Sequence, residues 1–243
     1  MGRLQRSFSR LFLVALLGSL LVGTGASAAQ HVFTDDFADG LVDPFLWTAA
    51  VGGSGPTVVE NGGKLEVTIP AVSVADPVGT LMGAYTLNLQ NVPLAGDFEA
   101  VVDYALVSWP AGSGVRVGFL GSKGGVERTG YSSWEYSGLG VPPEEYIVDF
   151  RATGDWVLQP QPALATADTS GRLRFTRVGN TLSGYYRQGG TWVLIGSFTG
   201  GTAAEPLLGP PGYLGIGAWS GPGPFFGYQD VKVTFSNFKL IVP

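Results

Sequence analysis

Residues 171–198, GRLRFTRVGNTLSGYYRQGGTWVLIGSF, constrain the fold more than any other stretch of the chain. Three alternating runs stand there in series. Leu173, Phe175 and Arg177 alternate with Arg172, Arg174 and Thr176. Gly179-Asn180 makes the first turn, because both residue types tolerate φ > 0 and suit a two-residue hairpin loop. Leu182 to Arg187 is the second run, Gly189-Gly190 the second turn, and Trp192 to Phe198 the third run. Period-2 patterning between tight turns predicts a β-meander. A meander cannot bury its own apolar face, so the rest of the chain must supply partner strands.

The remaining sequence has the pattern of such strands. Expected strands are His31–Phe37, Trp47–Val51, Thr57–Glu60, Lys64–Ile69, Gly79–Asn88, Asp97–Val107, Val115–Leu120, Val126–Trp134, Glu145–Arg151, Gly212–Trp219 and Val231–Val242. No 11-residue window after the first 28 residues carries an apolar stripe of helical period free of Gly or Pro. The 38 Gly and 16 Pro fit many tight turns, and the 6 Trp, 9 Tyr and 14 Phe separate the chain from disordered sequences of similar Gly content. Strands at this spacing predict an all-β, antiparallel two-sheet jelly-roll sandwich. The opening Phe33-Thr34-Asp35-Asp36-Phe37 and the closing Val231–Val242 strand are expected to lie side by side. The stretches 137–143, 158–170, 200–211 and 220–227 read as surface loops within one domain.

Residues 1–28 read as a cleavable signal peptide. Arg3, Arg6 and Arg10 form a basic start, Leu11 to Val22 an apolar core of 12 residues, and Ala26-Ser27-Ala28 a small-residue cleavage site. The apolar core is shorter than the ~20 residues of a spanning helix. With no Cys in the chain, there is no lipidation site, disulfide or thiol nucleophile. The reading is a secreted or periplasmic protein, with residues 29–243 as its single domain. The leader holds three of the 14 basic residues and none of the 19 acidic ones, which leaves the mature chain at −8. An acidic chain without a basic cluster argues against nucleic acid and anionic membranes as partners.

The chain resembles the concanavalin A-like lectin/glucanase superfamily, in particular the laminin-G-like exported jelly rolls. The resemblance rests on Phe33–Phe37 followed by Leu41-Val42-Asp43-Pro44-Phe45-Leu46-Trp47. It continues in Gly96-Asp97-Phe98-Glu99, in the meander, and in the closing Phe235-Ser236-Asn237-Phe238. It implies a jelly roll over nearly all of residues 30–242, and a function among glycosidases, lyases, lectins and adhesive modules. It also implies one structural Ca²⁺ near the paired termini, for which Asp35, Asp36 and Asp230 are the candidate ligands. Strand-edge charge that discourages aggregation accounts for the same residues without a metal.

His31 is the only His and stands beside the mature N-terminus, which removes Ser-His-Asp chemistry and His-based zinc sites. The superfamily's hydrolases carry a Glu-x-Asp-x-x-Glu run on one strand, and none is present. Glu99 and Asp103 share a face, yet four residues at ~3.3 Å each hold them about 13 Å apart, beyond glycosidase spacing. Glu144 and Glu145 are adjacent and point to opposite faces. A pair drawn from two strands, such as Asp103 with Asp149, is left for an enzyme.

If alternate apolar residues face the core, then Glu99, Asp103, Arg116, Asp149 and Arg151 face outward. On one sheet they would form a polar face suited to sugar hydroxyls; as a salt-bridged solvated face they need no ligand. Trp134 and Tyr136, beside a loop, are candidate sugar platforms or edge packing. Trp47 and Trp192 read as closing the ends of the core. The expected function is a non-catalytic carbohydrate-binding domain that takes a polysaccharide or glycan. The alternatives are a polysaccharide-degrading hydrolase or lyase with a non-standard carboxylate pair, and a structural or adhesive surface protein. The leader is checked directly: N-terminal sequencing of the exported protein is expected to begin at Ala29, and a chain still carrying residues 1–28 would refute it.

Overall fold

The computed structural model describes residues 30–77, 79–92, 94, 96–122, 124–130, 144–152, 155–156, 162–199, 213–220 and 228–243. Strands are numbered in chain order. The first sheet holds β1 (His31–Asp35), β3 (Thr57–Glu60), β4 (Leu65–Ile69), β6 (Phe98–Ser108), β12 (Ser170–Val178), β13 (Thr181–Gln188), β14 (Thr191–Thr199) and β16 (Val231–Val242). The second holds β2 (Trp47–Gly52), β5 (Leu81–Leu87), β7 (Val115–Gly121), β8 (Gly124–Thr129), β9 (Glu145–Ala152), β10 (Asp155–Trp156), β11 (Ala163–Ala165) and β15 (Leu214–Ser220). Strand order is β14-β13-β12-β6-β16-β4-β3 in the first sheet and β10-β9-β8-β7-β15-β5-β2 in the second. Every pairing is antiparallel. The jelly-roll sandwich expected from the sequence is the fold. Among the described residues no helix is long and apolar enough to cross a membrane. The leader lies outside the described residues.

The meander forms as its alternation predicts. Val178 opposes Thr181 and Gln188 opposes Thr191, so each turn is a two-residue loop. Gly189 and Gly190 both take positive φ (56° and 88°), the pattern of a type I′ turn. At the other turn Gly179 alone does (55°), which matches a turn with Gly in first place. Leu173 and Phe175 point inward and are fully buried. Gly184 faces the second sheet so closely that a Cβ there would stand 2.4 Å from Val148 Cγ2, so a glycine is what lets the sheets meet.

The core lies between the sheets. Leu65, Val67, Val102 and Phe175 from the first meet Val117, Phe119, Val148 and Ile216 from the second, all essentially solvent-free. Each such side chain contributes roughly 1.5–3 kcal/mol through burial. Trp47 closes one end, as expected: it is 2% exposed, and its ring meets Phe238 edge-on at 4.6 Å. Its Nε1 donates to Asp35 Oδ2 at 2.7 Å, and the Phe37 amide donates to Asp35 Oδ1 at 2.7 Å. These bonds hold Phe37 at φ 56°, unusual for a bulky residue, with its ring wholly buried.

The chain ends pair as expected. β1 runs beside the C-terminal half of β16, from His31 opposite Val242 to Asp35 opposite Phe238. Two short strands, β10 and β11, were not anticipated. β11 falls in a stretch read as a loop, and at three residues it is too short to show a period.

Trp192 does not close the core. The ladder slips at Gly184/Tyr185, where Gly184 opposes Gly196 but Tyr185 opposes Leu194. Ile195 is the extra residue of a β-bulge, and it reverses the side-chain parity of the preceding half of β14. Trp192 therefore lies on the outer face, with the Arg174 and Arg187 guanidinium carbons 5.6 and 5.9 Å from its ring centroid.

Glu60, at the end of edge strand β3, has both carboxylate oxygens shielded from solvent, beside the Asp39 carboxyl and the Tyr85 hydroxyl. Burial, with Asp39 and Asp35 nearby, pushes its carboxyl up to about 7. Between the ordinary Glu value of ~4.3 and 7 the folded chain binds the extra proton, so stability falls as pH rises through that window. The melting temperature is expected to be higher at pH 5 than at pH 8. In Glu60→Gln that difference should shrink while the value at pH 8 rises; an unchanged pH dependence would dismiss Glu60 as its source.

Candidate functional site

The outer face of the second sheet carries a buried charge cluster. Inward Val115, Val117 and Phe119 leave Arg116 on the outer side of β7, and inward Tyr146, Val148 and Phe150 leave Asp149 there on β9. Between them β8 contributes Glu127, which opposes Ile147 and so stands diagonal to both Glu145 and Asp149. Arg116 opposes Thr129 on one side and Trp219 of β15 on the other.

These side chains converge on one guanidinium. Arg116 Nη1 lies 3.3 Å from Glu127 Oε2 and 3.7 Å from Asp149 Oδ2. Trp219 Nε1 donates to Glu127 Oε1 at 3.2 Å, and the Arg116 guanidinium carbon sits 4.8 Å from the Trp219 ring centroid. Arg116, Glu127 and Asp149 are 2–3% exposed. Glu145 shares the face: burial pushes its carboxyl above the ordinary range against the pull of Arg116, and its Oε2 has no hydrogen-bond partner. Beside the cluster is a pocket of about 160 Å³, lined by Glu127, Asp149, Trp219, Met82, Leu120 and Tyr213. The recess thus offers the Glu127 and Asp149 carboxylates, fixed by the Arg116 guanidinium, together with the Trp219 indole, the elements that orient a polar ligand with an apolar side.

Of the residues expected to share one face, only Arg116 and Asp149 meet here. Glu99 and Asp103 belong to β6, in the other sheet, so their outward side is the opposite surface of the molecule. Expecting one shared face was wrong because the chain changes sheets between β6 and β7: β6 pairs with β12 and β16, β7 with β8 and β15. For the same reason Asp103 and Asp149 make no catalytic pair. Asp103 accepts from Arg172 Nη2 at 2.7 Å and from Asn237 Nδ2 at 2.8 Å. Burial acts to raise its carboxyl, and these hydrogen bonds outweigh it, leaving it below the ordinary range. Glu99 is ion-paired to Arg174. Trp134, Tyr136 and the Arg151 side chain lie outside the described residues; the Arg151 backbone pairs with Trp156.

Glu127 and Trp219 were missed, though the alternation marks both. Trp219 follows inward Leu214, Ile216 and Ala218, and Glu127 follows inward Val126. The adjacent Arg128 hid the pattern, since it turns toward the end of the core instead, where it pairs with Glu144 and donates to the Asp168 carbonyl at 3.2 Å. Glu144 and Glu145 do point to opposite sides, as expected.

The calcium ligands do not converge. Both Asp35 oxygens are taken, by the Phe37 amide and by Trp47. Asp36 Oδ1 accepts from the Ala38 amide. Asp230 precedes β16 at its other end, eight residues from the position opposite Asp35, roughly 26 Å along a strand. There its Oδ1 accepts from the Ala71 amide at 2.9 Å. Strand pairing alone separates these residues, and among the described residues no group of three or more His, Asp or Glu is placed to hold a metal ion.

No protein-family model matches the chain, and no curated protein matches its sequence. Solved structures do match its shape. A laminarinase from Flavobacterium sp. UMI-01 superposes with a TM-score of 0.58 at 12% identity, over 86% of this chain and 98% of that one. A β-1,3-1,4-glucanase (lichenase) derived from a mouse hindgut metagenome gives 0.57 at 12% identity, over 87% and 99%. The lectin UEA-II, complexed with galactose, gives 0.53 at 11% identity, over 88% and 99%. At such identities the likeness speaks for architecture alone. With two antiparallel sheets, paired termini and these neighbours, the protein has the antiparallel jelly-roll fold that these structures share.

Proposed function

We propose that this protein is an exported, non-catalytic carbohydrate-binding domain whose glycan sits on the outer face of the second sheet, at Arg116, Glu127, Asp149 and Trp219. The observation that carries the reading is the single guanidinium shared by two carboxylates. Burying charge costs stability, and an apolar trio of similar size would hold a sheet at least as well. Such a cluster beside an indole-lined pocket is better explained by a polar ligand. The carboxylates, held in place by the guanidinium, accept from sugar hydroxyls, while the indole takes the apolar face of the ring. The fold's neighbours include a galactose-bound lectin and enzymes named for β-glucans, which makes β-glucan and galactose the first ligands to try.

A hydrolase is the second reading, and one distance favours it. The two oxygens that share Arg116 Nη1 are no more than roughly 7 Å apart, so the pair does not exceed the ~9.5 Å upper limit of retaining and inverting pairs. Against it, paired-carboxyl hydrolysis needs one protonated acid, and both members here are ion-paired to a guanidinium that does not give up its proton.

Titration calorimetry with β-1,3-glucan and β-1,3-1,4-glucan oligosaccharides and with galactose separates the readings. The native protein is expected to bind at least one of them and to release no reducing ends. Trp219→Ala should weaken that binding at least tenfold with the fold intact by circular dichroism. Absence of binding across the panel sinks the proposal; reducing-end release that Glu127→Gln abolishes would install the hydrolase instead.

A further inference from the structure

The first sheet has an outer face that the proposed function leaves unused. A groove of about 850 Å³ crosses it, near the upper end of the ~300–1,000 Å³ of small-molecule sites. At one end are Arg172, Arg187 and Trp192, from β12, β13 and β14; at the other, beyond β1, are Asp36, Asp39 and Asp43. The groove is thus polarised, cationic and aromatic at one end and acidic at the other.

Most charges on this face are paired, and that singles out the ones that are not. Arg172 is paired with Asp103 and Arg174 with Glu99. Arg187 and Lys239 are exposed and make no ion pair among the described residues. Arg187 stands directly opposite Trp192, with its guanidinium carbon 5.9 Å from the ring centroid. At the acidic end, Asp36 and Asp43 each use Oδ1 to accept an amide of their own turn, from Ala38 and Phe45.

We infer that this groove is a second ligand site, and that its ligand is an oligosaccharide carrying an acidic, uronic sugar. The carboxylate of that sugar is the bidentate partner that Arg187 lacks. The same sugar's apolar ring face rests on Trp192, which the β14 bulge has turned out of the core. Asp36 and Asp43 accept from hydroxyls further along the chain. A neutral sugar would leave Arg187 without its partner, and a simple anion would not use the indole or the length of the groove.

The test is calorimetry with tri- or tetragalacturonate, alongside the neutral oligosaccharides used for the other face. The native protein is expected to bind oligogalacturonate, more weakly as salt rises. Arg187→Gln should weaken binding roughly tenfold or more, and Trp192→Ala should abolish it. Trp219→Ala should leave it unchanged, and Trp192→Ala should leave neutral-glycan binding unchanged. No binding of oligogalacturonate overturns the inference, as does binding lost in Trp219→Ala but kept in Trp192→Ala, or Trp192-dependent binding of neutral sugars only. Failure of the neutral panel alone would strike the proposed function and leave this groove standing.

Discussion

The first sheet depends on the length of β16 and on the register shift at its middle. At twelve residues it pairs with β6 along one side and with β4 and then β1 along the other. Val231, Val233 and Phe235 point inward, and then so do Phe238 and Leu240. The inward set moves by one residue at Asn237, which takes φ 52° within the register shift from Ser236 to Lys239. Without that step Phe238 would face solvent and could not meet Trp47. The same step lets Asn237 donate to Asp103, so one bulge serves both the core and the outer surface.

The two outer faces handle charge differently. On the first sheet Arg172–Asp103 and Arg174–Glu99 are about a quarter to a third exposed, and such pairs are worth ~0–1 kcal/mol each. They set the groove's electrostatics more than they hold the fold. On the second sheet Arg116, Glu127 and Asp149 are almost fully buried, where removing one partner costs about 3–5 kcal/mol because the others remain uncompensated. The arrangement that stiffens this site is therefore also the one that penalises a change within it. Indole groups accompany both faces, Trp219 on one and Trp192 on the other.

Much of the fold was legible in the chain because a strand with one buried face writes its orientation into alternate residues. Leu173 and Phe175, Val115 and Val117, and Leu214 and Ile216 each mark an inward side without reference to any other strand. The turns were legible for a similar local reason, since Gly189-Gly190 offers a backbone that hairpins need. Half of the second-sheet site, Arg116 and Asp149, followed from the same alternation. Glu127 and Trp219 obey it too; beside Glu127 the charged Arg128 takes the next inward position and interrupts the apolar run.

By itself, the sequence determined the all-β class, the strand positions, the hairpin meander and the side of each regular strand that faces inward, because these depend on near neighbours along the chain. Tertiary structure alone decided which sheet each strand joins, and hence that Glu99 and Asp103 lie on the opposite surface from Arg116 and Asp149. It also decided the bulge that turns Trp192 outward and the separation of Asp35 from Asp230. These outcomes rest on pairing between strands distant in sequence, and a change of partner or a one-residue slip moves a side chain to another face without altering the pattern of its own strand.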